Sequence, residues 1–348
     1  MKKFSKYLLS ATTILLTATV AQARDQIRIV GSSTVYPFAT VVAERFGISS
    51  KFKTPVVEST GSGGGLKIFC QGIGPLYVDI TNVSRRIKAR EIKKCAENGI
   101  TDITEVKIGY DGIVIANAKS SKPLKLDRKH IWLALGKDVT VNGKIIPNPH
   151  KTWKDVDPSL PDVKIEVLGP PPTSGTRDAF AELAMQGGCK KFPDIKAMKK
   201  TDKKAFKKLC HTVREDGAYI EAGENDNLII AKLQKNSKAF GIFGYSFLDQ
   251  NKDKLQGSIV EGNAPTFENI SSGRYPISRS LYFYIKNAHV GKIPGISEYI
   301  AEFTSEKAFG EGGYLQEKGL IPAPADERTE IRSAARSLST VWLIDFKK

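Results

Sequence analysis

Four polar turns in the sequence carry serine or threonine hydroxyls, and three of them also contain glycine; hydroxyls and exposed backbone N–H groups can donate hydrogen bonds to an anion. Each turn stands between a strand-like apolar run and a segment with helical spacing. The N–H groups at a helix start are unpaired and carry a partial positive charge, and glycine lets the backbone approach a ligand closely. The turns therefore predict an anion-binding site. They lie at residues 31–34, 60–65, 82–85 and 173–177.

Three successive strand–turn–helix units would position the first three turns. This order predicts an α/β fold with a mainly parallel sheet flanked by helices. In such sheets the ligand crevice lies at the carboxyl ends of the strands, which is where the turns stand. The predicted strands are 27–30, 55–58 and 77–80, and the predicted helices are 35–46, 66–70 and 89–98.

A long apolar strand at 106–116 separates the first three turns from the fourth, and it contains Gly109 and Gly112. A strand of this length with glycine inside it predicts a crossing between two lobes. We expect the chain to return across the hinge along a strand at 281–285. The remaining predicted elements are strands at 165–168 and 240–247 and helices at 177–185 and 296–304.

These crossings divide the chain into two lobes. Lobe I is predicted to contain residues 24–110 and 283–348, and lobe II to contain 111–282. The site would then lie between the lobes, because three of the polar turns precede the crossing and one follows it.

Catalytic motifs are not apparent in the sequence. The glycine-rich turn at 61–67 lacks the GxxxxGK[ST] spacing of a phosphate loop, and no intact G-x-S-x-G elbow is found. We therefore expect neither an enzyme nor a cofactor, and an exported phosphatase is disfavoured. The four histidines stand in basic or loop contexts, at His130, His150, His211 and His289.

The first residues predict export. Lys2, Lys3 and Lys6 precede an apolar stretch at 7–20, and Ala21-Gln22-Ala23 fits a small-x-small cleavage site. This is the pattern of a signal peptide over 1–23, cleaved near Ala23, which predicts a periplasmic protein. The net charge of +16 would fall to 16 − 3 = +13 on cleavage and favours an anionic partner.

Four cysteines in an exported chain predict two disulfides, for which three pairings are possible. Cys70–Cys95 and Cys189–Cys210 are the pairs nearest in sequence. A zinc site is the alternative, but the cysteines lack CxxC spacing, so no metal is expected.

A lysine-rich segment at 190–208 carries nine lysines. Nucleic-acid binding would need aromatic side chains for base stacking, and only Phe192 and Phe206 are available there. We therefore expect no nucleic-acid partner. The segment is predicted to be a solvated helical hairpin held by Cys189–Cys210.

The motifs VGSSTVYPF, ESTGSGGGLK, VDITNVSR, GYDGIVIAN and SGTRDAF stand in this order along the chain. Their order and spacing resemble the phosphate-binding component of a Pst-type phosphate ABC transporter, over residues 27–324. The resemblance implies a two-lobed, type II-like periplasmic binding protein with a Venus-flytrap hinge. It also implies inorganic phosphate as ligand, membrane permease subunits as partners, and a monomer.

The resemblance implies a ligand shell drawn from all four turns. Some family members carry an aspartate where this chain has Ser84, and an arginine where it has Pro170, so Arg85 or Arg177 would supply the guanidinium. The implied ligands are Ser33, Thr34, Ser62, Gly63, Ser84, Arg85, Ser174, Gly175, Thr176 and Arg177.

Monohydrogen phosphate carries a proton that sulfate lacks, so selectivity needs a buried acceptor. We expect Asp111, on the crossing strand, to be that acceptor, although it could instead cap the turn at Gly112. Two functional alternatives remain open: a binding protein for another oxyanion such as sulfate or molybdate, and an exported adhesion protein that uses its lysine-rich segment.

Overall fold

The structure, a computed structural model, describes residues 24–172, 174–223 and 226–341. The predicted signal peptide at 1–23 and residue Thr173 lie outside these ranges. The strands are β1 Arg28–Gly31, β2 Val56–Ser59, β3 Ile80–Val83, β4 Ile103–Ala118, β5 Lys125–Leu126, β6 Asp138–Val141, β7 Lys144–Pro147, β8 Val167–Gly169, β9 Tyr219–Glu221, β10 Phe240–Gly244, β11 Leu255–Gly257, β12 Ile259–Val260 and β13 Ser278–Lys286.

The helices lie on both faces of the main sheet. They are α1 Tyr36–Ser49, α2 Ser62–Phe69, α3 Ala89–Glu97, α4 Arg128–Leu135, α5 Trp153–Val156, α6 Gly175–Phe180, α7 Gln186–Cys189, α8 Pro193–Thr201, α9 Lys203–His211, α10 Asp226–Lys235, α11 Tyr245–Gln250, α12 Phe267–Ser271, α13 Ile296–Phe303, α14 Glu306–Phe309 and α15 Ala325–Arg336. A π-helical turn, Ala181–Met185, joins α6 to α7, and 3₁₀ turns cover Asn287–His289 and Gln316–Lys318.

The main sheet is mixed. Its strand order is β2-β1-β3-β13-β4-β10-β8-β9, with β11 also paired to β4. The pairs within β2-β1-β3 and within β10-β8-β9 are parallel, as predicted for the two lobes. The strands between them, β13 and β4, form antiparallel pairs. Strand β4 pairs with β13 up to Gly112 and with β10 from Ile113, so it runs from one lobe into the other.

Alternating side chains along the strands fill a core on each face of the sheet. In lobe I, Ile29 joins a cluster with α1 and α13, whereas its neighbour Val30 joins a cluster with α2 and α3. In lobe II, Ile115 faces one cluster, whereas Val114 faces another. Both faces of the sheet are therefore covered in each lobe, so a polar site on the sheet is expected at the ends of the strands.

Helix α2 begins at Ser62, four residues before the predicted start at 66. Three glycines, 63–65, thus lie inside the helix. A Cβ at Gly65 would stand 2.5 Å from the Cα of Gly31, so only glycine lets α2 approach β1 this closely. The prediction was wrong because glycine is a poor helix former, and the close packing outweighs that preference.

Two further boundaries differ from the predicted ones. Strand β3 begins at Ile80 rather than at 77, because the carbonyls of Tyr77 and Val78 accept from Arg24 and Lys286 instead of from a neighbouring strand. The apolar run 240–247 is a strand only to Gly244, after which α11 begins. Periodicity does not separate a buried strand from a buried helix start.

Both predicted disulfides are confirmed. Cys70–Cys95 joins the end of α2 to α3, and Cys189–Cys210 joins the end of α7 to α9. Helices α8 and α9 form the predicted hairpin, which follows Cys189 along the chain. Over the described ranges, no helix has the length and apolar character needed to cross a bilayer.

Candidate functional site

The polar turns lie at matching strand ends in the two lobes. In lobe I, the parallel strands β1 and β3 end at Gly31 and Val83, within the first and third predicted turns, and β2 ends at Ser59, directly before the second. In lobe II, the parallel strands β8 and β10 end at Gly169 and Gly244, before α6 and α11. The carboxyl ends of parallel strands share one edge of a sheet, so each lobe presents a polar edge.

A cavity of about 500 Å³ lies between these edges. Lobe I contributes Thr34, together with the side chains of Pro37 and Phe38. The crossing strand β4 contributes Asp111. Lobe II contributes the start of α6 and the start of α10. On the crossing strand and in lobe II, the predicted site residues that line the cavity are Asp111, Ser174, Gly175 and Thr176.

The start of α6 supplies backbone donors to the cavity. Ser174 is the N-cap residue, and its hydroxyl accepts from the N–H of Thr176 at 3.2 Å. Helix α6 continues through the π turn into α7, so its dipole is that of a longer helix. The first residues of this helix start, Ser174, Gly175 and Thr176, line the cavity, and a helix N-terminus at this position suits an anion.

The two lobes touch at this cavity. The hydroxyl of Ser33 donates to Asp178 Oδ2 at 2.7 Å, which links the first turn of lobe I to α6 of lobe II. A Cβ at Gly175 would stand 3.0 Å from the carbonyl oxygen of Ser33 and 3.3 Å from the Cα of Thr34. Glycine at 175 therefore permits the close approach of the lobes.

An ion pair stands where the lobes are joined. Asp111 on β4 lies opposite Arg279 on β13, and Arg279 Nε is 3.3 Å from Asp111 Oδ2. Arg279 Nη2 also donates to Thr34 Oγ1 at 2.6 Å, and Nη1 donates to Glu182 at 2.9 Å. Burial raises the pKa of the Asp111 carboxyl, and the Arg279 guanidinium opposes that rise. One arginine thus contacts residues of both lobes beside the cavity.

A second carboxyl, Asp226, lines the same cavity. Its Oδ2 accepts from the N–H of Gly244 at 3.1 Å. Burial raises the pKa of Asp226 to about 6; the Gly244 hydrogen bond opposes this, and the charge of Asp111 adds to it. Together with Glu317, three carboxyl groups therefore line the cavity, and Asp111 and Asp226 are the two whose pKa is raised by burial.

Sequence reasoning missed Arg279 and Asp226. Arg279 comes into the site through its register against Asp111, 168 positions away, which no local pattern reports. Asp226 begins α10 directly after two residues outside the described ranges. Acidic residues are common in the first turn of a helix, where they interact favourably with the helix dipole, so Asp226 gave no functional signal in the sequence.

Ser62 and Ser84 are brought together in lobe I but do not line the cavity. The hydroxyl of Ser62 accepts from the N–H of Ser84 at 3.1 Å, and the two hydroxyls are also 3.1 Å apart. Gly63 follows in the first turn of α2, where an added Cβ would meet open space. These groups form a second polar cluster at the same sheet edge.

The two arginines predicted to supply the guanidinium are engaged elsewhere. Arg85 forms two hydrogen bonds with the Glu91 carboxylate, at 2.9 and 2.7 Å. Arg177 donates to the carbonyl of Pro170 at 3.2 Å and stacks 4.2 Å above the ring of Tyr219. Neither arginine is among the residues that line the cavity.

A metal-dependent site has no support in the described part of the chain. No group of three or more His, Cys, Asp or Glu side chains there could hold a metal ion. The cavity is lined by hydroxyls, the start of α6, three carboxyls and Lys318, with Arg279 beside it, so its hydroxyl, N–H and cationic groups could engage an oxyanion through donated hydrogens.

Two lobes connected by crossing strands, with a polar cavity between them, define a substrate-binding protein of the two-lobed periplasmic type. A family model described as a PBP superfamily domain matches residues 16–307. The chain is 31% identical over 312 residues to the phosphate-binding protein PstS of Staphylococcus saprophyticus, covering 87% of this chain and 82% of that relative. It is 32% identical over 303 residues to PstS of Staphylococcus epidermidis, covering 84% and 78%. The chain belongs to the PstS family.

The fold agrees with solved structures. A possible phosphate-binding protein from Planctomyces limnophilus superposes with a TM-score of 0.69 and 25% identity, over 93% of this chain and 99% of that one. An ABC-type phosphate transport receptor from Vibrio cholerae has the same fold, with a TM-score of 0.55 and 20% identity over 86% and 100%. The family consists of transport binding proteins and is not an enzyme family.

Proposed function

We propose that this protein binds inorganic phosphate in the cavity between its lobes and delivers it to the permease of an ABC transporter. The observation that carries the proposal is the cavity itself, where Thr34 of one lobe faces the start of α6 in the other. The names of the PstS relatives support phosphate as the ligand. The protein has no catalytic role in this proposal.

The ligand shell is proposed in two parts. Thr34, Ser174, Gly175 and Thr176 line the cavity and would donate hydrogen bonds to the phosphate oxygens. Ser33 stands beside them, held by Asp178. Ser62, Gly63, Ser84, Arg85 and Arg177 would reach the ligand only after rearrangement.

We assign the guanidinium of the site to Arg279 in preference to Arg85 and Arg177. Arg279 already bonds Thr34 and faces Asp111, and its side chain is only 9% exposed. A guanidinium with a planar fork of donors suits a phosphate, and a desolvated one interacts strongly. A modest reorientation toward the cavity would let it share its donors between Asp111 and the ligand.

Asp111 remains the proposed acceptor for the phosphate proton. It lines the cavity and its side chain is only 14% exposed, so an oxyanion without a proton would meet a carboxylate oxygen to which it cannot donate a hydrogen bond. Sulfate would therefore bind weakly by comparison. This repulsion would give the site its selectivity.

The cellular setting follows from the sequence and is part of the proposal. A signal peptide at 1–23, cleaved near Ala23, would deliver a monomer to the periplasm, where the two disulfides can form. The proposed lobe division is 24–110 with 283–348 for lobe I and 111–282 for lobe II. Closure of the lobes on phosphate would create the surface that the permease recognises.

Isothermal titration of the mature protein with phosphate, sulfate and molybdate tests the function. We expect phosphate to bind and sulfate to bind at least a hundredfold more weakly. Asp111→Asn should weaken the binding of phosphate and relieve the repulsion of sulfate, so the ratio of the two affinities should fall. If sulfate or molybdate binds more tightly than phosphate, that oxyanion replaces phosphate as the proposed ligand.

A variant at the hinge tests the assignment of the arginine. Arg279→Gln should weaken phosphate by about 2–5 kcal/mol, as expected when one partner of a buried charged pair is removed. Arg177→Gln is the matched control and should change affinity by less than tenfold, because its guanidinium is stacked on Tyr219. If Arg177→Gln weakens phosphate binding more than Arg279→Gln does, the guanidinium of the site is that of Arg177.

A further inference from the structure

The lysine-rich hairpin is not explained by phosphate binding. Helices α8 and α9 pack against each other, and the Cys189–Cys210 disulfide joins the end of α7, just before the hairpin, to α9. The segment 190–208 holds nine lysines against two acidic residues, Asp194 and Asp202. The outer side of this hairpin, which we call the lysine face, consists of Lys196, Lys199, Lys200, Lys203, Lys204, Lys207 and Lys208, all exposed.

The apolar side chains of the hairpin point away from the lysine face. Ile195 and Phe206 are buried in the core of lobe II. Phe192 packs against Trp132, with ring centroids 5.3 Å apart. The hairpin is thus anchored by its inner side and by a disulfide, so the lysines stand on a rigid support.

The charge of the lysine face is not neutralised by the protein. Within the described residues, the lysines of segment 190–208 form one ion pair, Lys191 with Glu261 at 3.5 Å, and Lys191 is not part of the face. Lys203, Lys204, Lys207 and Lys208 line a shallow surface depression together with His211. Burial and the charge of Lys207 lower the pKa of His211 to about 4, so the imidazole adds no charge at neutral pH.

Basic groups of lobe I lie within electrostatic reach of the lysine face. Lys88, the N-cap residue of α3, is near Arg85 and Arg90. The charge of Arg85, burial and the charge of Lys199 in lobe II all contribute to lowering the pKa of Lys88. The positive charge of the lysine face is therefore supplemented by basic groups of lobe I.

The residue types of the lysine face discriminate among anionic partners. The face contains no arginine and no exposed aromatic side chain, which are the usual anchors of protein interfaces and of base stacking. Lysine is depleted in the cores of protein interfaces. A dense lysine array without apolar or aromatic anchors instead suits a broad surface of negative headgroups, which attracts basic residues without specific geometry.

We propose that the lysine face docks this protein onto the surface of an anionic lipid bilayer. The interaction is electrostatic, reversible and sensitive to salt. It holds the protein at the plane in which a permease lies, and it is separate from the phosphate cavity.

Vesicle flotation with the full mature protein tests this proposal. Vesicles of phosphatidylcholine alone are compared with vesicles containing about 30% phosphatidylglycerol, at about 50, 150 and 500 mM NaCl. We expect binding to the anionic vesicles only, with at least a tenfold loss of affinity between the lowest and the highest salt. Equal binding to neutral vesicles, or no binding to anionic vesicles at low salt, overturns the proposal.

Matched charge reversals separate the lysine face from net charge. The hairpin variant should lose at least tenfold in vesicle affinity, whereas a control variant with the same change in net charge should retain most of it. Equal losses in the two variants would mean that only net charge acts and would contradict the docking site. The hairpin variant is K203E/K204E/K207E/K208E, and the control is K119E/K122E/K232E/K235E, all at exposed positions.

Two further measurements keep the outcomes distinct. Both variants should bind phosphate with unchanged affinity, which shows that they are folded and that a failure of docking is not a failure of phosphate binding. A duplex DNA of about 20 base pairs serves as a competing polyanion. If the wild-type protein binds the duplex more tightly than the anionic vesicles at the same salt, the lipid proposal is rejected in favour of nucleic acid.

Discussion

Asp226 provides a direct test of the electrostatics of the cavity. Its carboxyl is 7% exposed, lies near Asp111 and accepts one hydrogen bond, from Gly244. Substitution Asp226→Asn keeps an oxygen that can accept from this N–H and removes the negative charge. The variant therefore mimics the protonated acid at every pH.

The size of the effect follows from the pKa. Burial moves the pKa of Asp226 from 3.8 to about 6, and this difference corresponds to about 3 kcal/mol. Because the folded state holds the proton more tightly than the unfolded chain, the proton stabilises the fold below pH 3.8 and this stabilisation is lost as the pH rises through about 6. Relative to the wild type, the variant should gain about 2 kcal/mol between pH 4 and pH 8, less than the full difference because the unfolded carboxyl is already more than half ionised at pH 4.

Urea denaturation of the ligand-free protein between pH 4 and pH 8 measures this difference. Phosphate must be absent from the buffer, since a bound ligand would stabilise the native state by itself. Asp253→Asn, at an exposed position, is the matched control and should show no comparable dependence on pH. If the stability difference between Asp226→Asn and the wild type is the same at pH 4 and pH 8, the argument that burial holds the proton on Asp226 is wrong.

Three other substitutions test the packing around the site. Gly175→Ala should weaken phosphate about tenfold in titration calorimetry with little loss of stability, since its Cβ would press on Ser33 and hold the lobes apart. Gly31→Ala should lower the free energy of unfolding by about 3 kcal/mol, because the Cβ would lie 2.1 Å from the Asn82 carbonyl oxygen at a positive φ. Replacing Cys189 and Cys210 by serine should cost about 3 kcal/mol in denaturation experiments and leave phosphate affinity unchanged.

The parts of the fold with local signals were predicted from the sequence. Strand β1 and helix α1 flank a glycine–serine turn and have clear periodicity, and they lie within a few residues of the predicted bounds. The long strand β4 was recognised by its apolar length and its glycines. The disulfides followed from export and from the distances between cysteines along the chain.

The side-chain partners at the site could not be predicted, because they depend on pairings between distant segments. Arg177 looked like a ligand in its motif, but Tyr219, which follows 42 residues later, provides a ring on which it stacks. Arg279 looked like an ordinary strand residue until the register with β4 placed it against Asp111. Local spacing identifies which loops reach the sheet edge, whereas long-range register decides which charges face the cleft.

The ion pair between Asp111 and Arg279 sits on the two strands that connect the lobes, and this position has a kinetic consequence. Groups on a rotation axis travel little when the bodies on either side swing apart, whereas Ser174 and Thr176 lie off the axis and must move away. We expect a departing anion to lose its contacts with α6 first and to linger at the guanidinium. Its escape would then proceed in two stages, with a half-open intermediate whose lifetime depends on ionic strength.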